Sequence, residues 1–163
     1  MRAHQVVPPG SWVAEEERDQ VVLDWDHRHR RRIALTTEAG DELLLDLPDA
    51  VRLRDGEGLL LEGGGVVRVV AAEERLLEIQ ADDPDQLIRI AWHLGNRHLP
   101  VQLVPGAIRI RADHVIADMI RQLGGSARET DAPFDPEAGA YASGHGHGHD
   151  EDNAPSSPAS GPG

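Results

Sequence analysis

The chain has 163 residues, with 16 Lys and Arg against 29 Asp and Glu, nine histidines and no cysteine. A formal net charge of −13 excludes a protein that grips nucleic acid through a basic surface. The missing thiols exclude disulfides, cysteine nucleophiles and thiolate metal sites. Any bound metal must then be held by nitrogen and oxygen, a donor set suited to nickel or zinc and poor for storing Cu(I).

The opening ten residues lack the apolar run of a secretory signal. No later segment is long and apolar enough to span a bilayer, so the expectation is a soluble cytoplasmic protein. Residues 1–74 read as a small all-β domain. Val21-Val22-Leu23 precedes a charged turn, Asp26 to Arg32, whose Arg28 to Arg32 cluster reads as a solvated hairpin with partner docking as the alternative. Ile33-Ala34-Leu35 and Leu43-Leu44-Leu45 flank Glu38-Ala39-Gly40-Asp41, a hairpin signal. Short runs at Val51 to Leu53, Leu59 to Leu61 and Val66 to Val70 are separated by Asp55-Gly56 and Gly63-Gly64-Gly65. Short strands punctuated by glycine turns suggest a β-sandwich or barrel-like module.

Residues 75–138 change pattern. Arg75 to Ile79 reads as a strand, and Asp83-Pro84 as an N-cap followed by proline at the first helical position. Leu87, Ile90, Ala91 and Leu94 then recur at helical spacing, with Gly95 as the stop. Val101 to Val104 and Ala107 to Arg111 predict two strands joined across Pro105-Gly106. Asp113 caps a second helix whose buried stripe is Val115, Ile116, Met119, Ile120 and Leu123, ended by Gly124-Gly125. A last strand from about Ala127 completes β-α-β-β-α-β, so the predicted class is α+β with a ferredoxin-like second domain.

Residues 139–163 are Gly, Ser, Pro, His and acid, too polar to offset the entropy of ordering, and disorder is expected. Within them Gly144-His145-Gly146-His147-Gly148-His149-Asp150 carries three imidazoles with only glycine between. Glycine's freedom in φ and ψ lets His145, His147 and His149 converge on one ion, and neutral imidazole suits nickel, zinc and copper. The competing reading is a solvated low-complexity arm. From Asp131 onward there are six carboxylates and no Lys or Arg, so this end of the chain attracts cations.

Three more histidines fall in the second domain. His98 follows the first helix, where the partial negative charge of a helix C-terminus favours a cation; a polar loop residue is the alternative. His114 opens the second helix, where the positive dipole end keeps an imidazole neutral and able to ligate. His93 lies off the apolar stripe near Arg89 and Arg97, as on a solvated helix flank. One ordered histidine cannot hold an ion alone. The other donors for His98 must come from His114, from the arm, or from a second copy related by a two-fold axis.

Trp92-His93-Leu94-Gly95-Asn96-Arg97-His98 is very similar to the HLGNRH motif of the UreE urease accessory proteins. Asp113 to Gly124 resembles that family's second helix, and Ala132 to Tyr141 followed by alternating Gly-His resembles its C-terminal end. The resemblance implies a nickel metallochaperone in urease maturation, with a β-rich N-terminal domain and a ferredoxin-like domain through which two copies form a homodimer. It implies that His98 is the interface nickel ligand, one from each subunit, and that His145, His147 and His149 extend capacity and assist transfer. It also implies two partners, the urease accessory GTPase and the complex assembled on the urease apoprotein. Relatives carry His-Asp-His before the second helix where this chain has Ala112-Asp113-His114, so only His114 carries over.

The expected activity is binding, release and hand-over of Ni²⁺, with Zn²⁺ or Cu²⁺ as competitors and no covalent chemistry. Ligation needs neutral imidazoles, so affinity should fall as pH drops through about 6.5. An enzyme is disfavoured, because HExxH, a phosphate-cradling glycine loop and a nucleophile elbow are all missing. A general protein-binding or assembly chaperone, with incidental metal binding, is the other alternative.

Overall fold

The computed structural model describes residues 1–138; the expected disordered arm at 139–163, with His145, His147 and His149, lies outside the described residues. The first half forms one six-stranded sheet from β1 (Arg2–Val7), β2 (Glu17–Leu23), β3 (His29–Thr36), β4 (Glu42–Arg52), β5 (Gly58–Leu61) and β6 (Val66–Ala71). Their spatial order is β2-β6-β5-β1-β4-β3. Side chains alternate between the faces of a strand, and alternate residues are buried: Leu43, Leu45 and Leu47 on β4, Val67 and Val69 on β6, Val21 and Leu23 on β2. These pack with Ala3, Leu35, Leu53 and Leu59 into one cluster. The β3–β4 hairpin tip reaches back to the far edge, where Glu38 N donates to Gln20 O (2.9 Å) and Ala39 N to an Asp19 carboxylate oxygen (3.1 Å).

Three details differ from the sequence expectation. Arg2–Val7 is a strand, paired in parallel with β4 and antiparallel with β5; its mixed sequence carries no clear alternation. Val51 does not start a separate strand, because β4 runs unbroken from Glu42 to Arg52. Pro48, which has no N–H to donate, falls where the β3–β4 register slips between Arg30 and Arg32, so the irregularity absorbs the missing bond. In the charged stretch Asp26 to Arg32, Asp26 and His27 lie in an exposed turn and Arg31 and Arg32 are exposed, but β3 already begins at His29 and Arg28 is 1% exposed.

The second half contains β7 (Glu73–Gln80), α1 (Pro84–Asn96), β8 (Gln102–Val104), β9 (Ala107–Arg111), α2 (His114–Gln122) and β10 (Ser126–Pro133). The four strands form an antiparallel sheet in the order β10-β7-β9-β8. Leu77, Ile79, Ile108 and Ile110 on one face meet Ile90 and Leu94 of α1 and Ile116, Ala117 and Ile120 of α2. The opposite face carries a direct cross-strand row, Arg109–Glu78–Arg128, with the carboxylate held by both guanidiniums at 3.1 and 2.6 Å. Among the described residues no helix is long and apolar enough to cross a membrane.

The two halves meet around Trp25. Its ring lies 6.5 Å from that of Phe134 and packs in a cluster with Leu76 and Ala132. The guanidiniums of Arg52 and Arg111 stand 4.1 and 4.7 Å from the Trp25 ring, a cation–π arrangement. Arg111, from the second sheet, also pairs with Asp26 at 3.1 Å. Burial, with Arg28, Arg54 and Arg111 nearby, lowers the Arg52 pKa from the ordinary arginine value.

Candidate metal centre

Helix α1 carries the first candidate site at its C-terminal end. Asp83 caps the start by accepting from Asp85 N at 2.9 Å, and Pro84 occupies the first turn. Ile90 and Leu94 face the core, while Ile88 and Trp92, four residues apart on one outer face, are 67% and 65% exposed. Gly95 continues the helix and does not end it: the last helical residue is Asn96 and Arg97 is the C-cap. A methyl group built on Gly95 would meet nothing within 4 Å, so the backbone there is bare beside Trp92.

The stop is made by His98. Its φ is 55°, and among the described residues it is the one non-glycine residue with a positive φ. Its N–H donates to Gly95 O at 3.0 Å, and that of Arg97 to Leu94 O at 3.1 Å. A left-handed residue is the usual way to close the last turn, and glycine usually supplies it. Here a histidine bears the steric cost, and its side chain is exposed.

His114 is the first residue of α2, exposed, behind Asp113, whose carboxylate accepts from Val115 N (2.9 Å) and Ile116 N (3.2 Å). Leu99 and Pro100 after His98, and Ala112 and Asp113 before His114, line one cleft of about 380 Å³ with Arg75 and Arg111. The two histidines are thus sequence neighbours of residues that line one depression. His93 is half-buried where a solvated flank was expected; it stands edge-on to Trp92 with ring centroids 5.1 Å apart. It lines a different cleft of about 510 Å³ with Asp83, Asp85, Gln86 and Arg89.

Among the described residues no three His, Asp or Glu side chains come together to hold an ion. His98 and His114 therefore adjoin one cleft and His93 lines another, and the three are not assembled into a closed set of donors.

Comparison with known proteins decides the family. The UreE urease accessory protein N-terminal domain profile matches residues 2–72, and the C-terminal domain profile matches residues 74–158. The chain belongs to the UreE family. A urease accessory protein UreE from Rhodopseudomonas palustris (strain HaA2) is 57% identical over 145 residues, covering 89% of this chain and 67% of that protein. The UreE of Bradyrhizobium sp. (strain ORS 278) is 54% identical over 142 residues, with 87% and 67% covered. That of Beijerinckia indica is 50% identical over 142 residues, with 87% and 82% covered. These UreE relatives are named accessory proteins, not enzymes. The boundary between the two matched stretches falls between the two sheets, since β6 ends at Ala71 and β7 begins at Glu73.

Sequence reasoning missed one set of residues beside this centre. Arg28 donates to Asp24 O (3.3 Å), to Asp135 Oδ1 (3.3 Å) and to Phe134 O. Arg54 reaches the same Asp135 carboxylate at 3.1 Å. Nothing in a run of arginines distinguishes the buried one. The available signal was Phe134, the sole phenylalanine, immediately followed by Asp135 and proline.

Proposed function

We propose that this UreE is a nickel metallochaperone, which binds Ni²⁺ through His98 and the arm histidines 145, 147 and 149 and surrenders it during urease maturation. In this reading residues 1–74 dock partners, residues 75–138 form a ferredoxin-like carrier, and residues 139–163 form a histidine arm. The observation that carries it is the His98 corner: an exposed imidazole held at φ 55° just past the end of a helix whose outer face exposes Ile88 and Trp92. A helix face bearing a tryptophan and an isoleucine in water is a surface suited to burial against another surface. A second copy across a two-fold axis buries both and sets its own His98 opposite the first.

Two nitrogen donors at such a seam, completed by the arm or by His114, give an all-imidazole site. Such a site holds Ni²⁺ while leaving it exchangeable, with Zn²⁺ and Cu²⁺ as competitors. Family membership supports hand-over through the urease accessory GTPase to the urease apoprotein. The β-α-β order repeated over β7 to β10, with strand order β10-β7-β9-β8, supports the ferredoxin-like reading.

The test is nickel titration with mass measured in parallel, on wild type, His98→Ala, and a chain carrying His145→Ala, His147→Ala and His149→Ala. The proposal expects one tight ion per dimer, lost in His98→Ala and weakened but retained in the arm variant. Unchanged tight binding in His98→Ala overturns it.

A further inference from the structure

Residues 134–137, from which the arm departs, are tied down more firmly than a chain end requires. Phe134 is fully buried against Trp25. The buried Arg28 holds both Phe134 O and the Asp135 carboxylate, and Arg54 takes the same carboxylate from the other side at 3.1 Å. Asp135 N donates to Gln102 Oε1 (3.3 Å) and Glu137 N to Val101 O (2.7 Å). Those last two bonds fasten the segment to the start of β8, three and four residues beyond His98.

We infer that Arg28, Arg54 and Asp135 form a latch that positions the root of the histidine arm beside the His98 loop. The inference rests on the proposed nickel-carrying role, and it adds positioning residues that ligate nothing themselves.

Chain geometry sets the reach. Val101 is three residues from His98 and Glu137 is eight residues before His145. At about 3.3–3.6 Å per residue the two spans are at most roughly 11 and 29 Å. With the root held at Val101, His145 to His149 lie within reach of His98, and the local imidazole concentration there is set by that short tether. With the latch open, the tether lengthens back toward the end of β10, and the arm is diluted around His98. Burial explains why arginine is used at position 28. A guanidinium satisfies a backbone carbonyl and a carboxylate together, and the resulting charge-assisted pair, buried on the Arg28 side and partly exposed at Asp135, is geometrically specific. Because both arginines come from the first sheet's unit, the arm's root is held by the half of the molecule that carries no candidate ligand.

The experiment uses the full chain. It has no cysteine, so Asn96→Cys and Ser143→Cys place two spin labels cleanly, and dilution with unlabelled chain isolates pairs within one copy. Asp135→Asn and Arg54→Gln are compared with the parent. Arg54, one-third exposed, can be replaced without stranding a buried charge, which guards against a variant that merely misfolds. The latch is expected to give a short, narrow label distance that lengthens and broadens in both variants without metal. Nickel affinity should fall about threefold or more in both, yet not change when the same substitutions are made with the three arm histidines already replaced by Ala. An unchanged distance distribution overturns the latch, as does an affinity loss that persists without the arm histidines. If the distances respond but no variant binds nickel tightly, the latch stands and the nickel-carrying reading falls.

Discussion

The two halves of this protein handle apolar surface differently. In the first, the large exposed hydrophobics are scattered: Met1 at the chain start, Val13 before a short 3₁₀ turn, Val22 on β2 and Val51 on β4. In the second, Ile88 and Trp92 share one face of α1, and Val115 adjoins His114. Leu103 on β8, an edge strand, is exposed as well, so both helices and one sheet edge of this half present apolar residues. The first half keeps its hydrophobic face inside its own sheet. The second leaves part of its surface to be covered, on the half that carries His93, His98 and His114.

The largest expected effect tests the junction between the halves. Phe134→Ala removes a fully buried ring from the Trp25–Leu76 cluster and should cost about 3–5 kcal/mol. Denaturant unfolding followed by Trp25 fluorescence checks it. A loss below about 1 kcal/mol would mean the halves are stable without the plug.

Next comes the uncovered face. Trp92→Ala with Ile88→Ser should weaken self-association at least about tenfold, or 1.4 kcal/mol, with the monomer's far-ultraviolet dichroism preserved. Sedimentation equilibrium across a dilution series gives the constant. A matching change at Val22 or Val51 in the first half should leave association unchanged, and an equal response at both would erase the contrast between the halves.

A smaller effect separates fold from function at His98. Glycine accepts φ 55° without the steric cost that histidine bears, so His98→Gly should raise stability by up to about 1 kcal/mol, while His98→Ala gains nothing. Both should lose the tight nickel site. A His98→Gly protein less stable than His98→Ala would overturn the backbone strain at φ 55°, and both variants less stable than wild type would show that the imidazole itself supports the loop.

The smallest effect concerns Glu78. Hydrogen bonds from Arg128 and Arg109 hold its carboxyl below the usual glutamate range. A lowered folded value means stability that is present above the unfolded carboxylate value, about 4.3, and lost as pH falls through the folded one. Glu78→Gln should thus destabilise by less than about 1 kcal/mol at neutral pH. The difference from wild type should vanish in acid, as measured by thermal unfolding from pH 7 downward. A difference that grows in acid would reverse the sign.

Much of the second half was legible in the sequence because its signals are local. Asp83-Pro84 and Asp113 cap their helices as expected, and Ile90, Leu94, Ile116 and Ile120 are buried as their spacing implies, whereas Val115, expected in the second stripe, is 58% exposed. The glycine signal at Gly95 misled by three residues, because a neighbouring histidine took the left-handed conformation that glycine normally fills. In the first half the runs of Leu and Val marked strands, but the parallel pairings of β1 with β4 and β2 with β6 depend on distant partners that no local pattern encodes.

By itself the sequence determined the chemistry available: nitrogen and oxygen donors only, a glycine-spaced trio of imidazoles, a strongly anionic chain, and the motif around His98 that marks the family. These follow from residue type and spacing, which survive any fold. Only the tertiary structure decided that one arginine of the basic run is buried, and that Asp135 meets it from more than a hundred residues away. The same holds for the meeting of the His98 and His114 loops across one cleft. Burial is a property of what surrounds a side chain. A charge that reads as solvated in a linear run becomes a structural anchor once a distant carboxylate and carbonyl are folded against it.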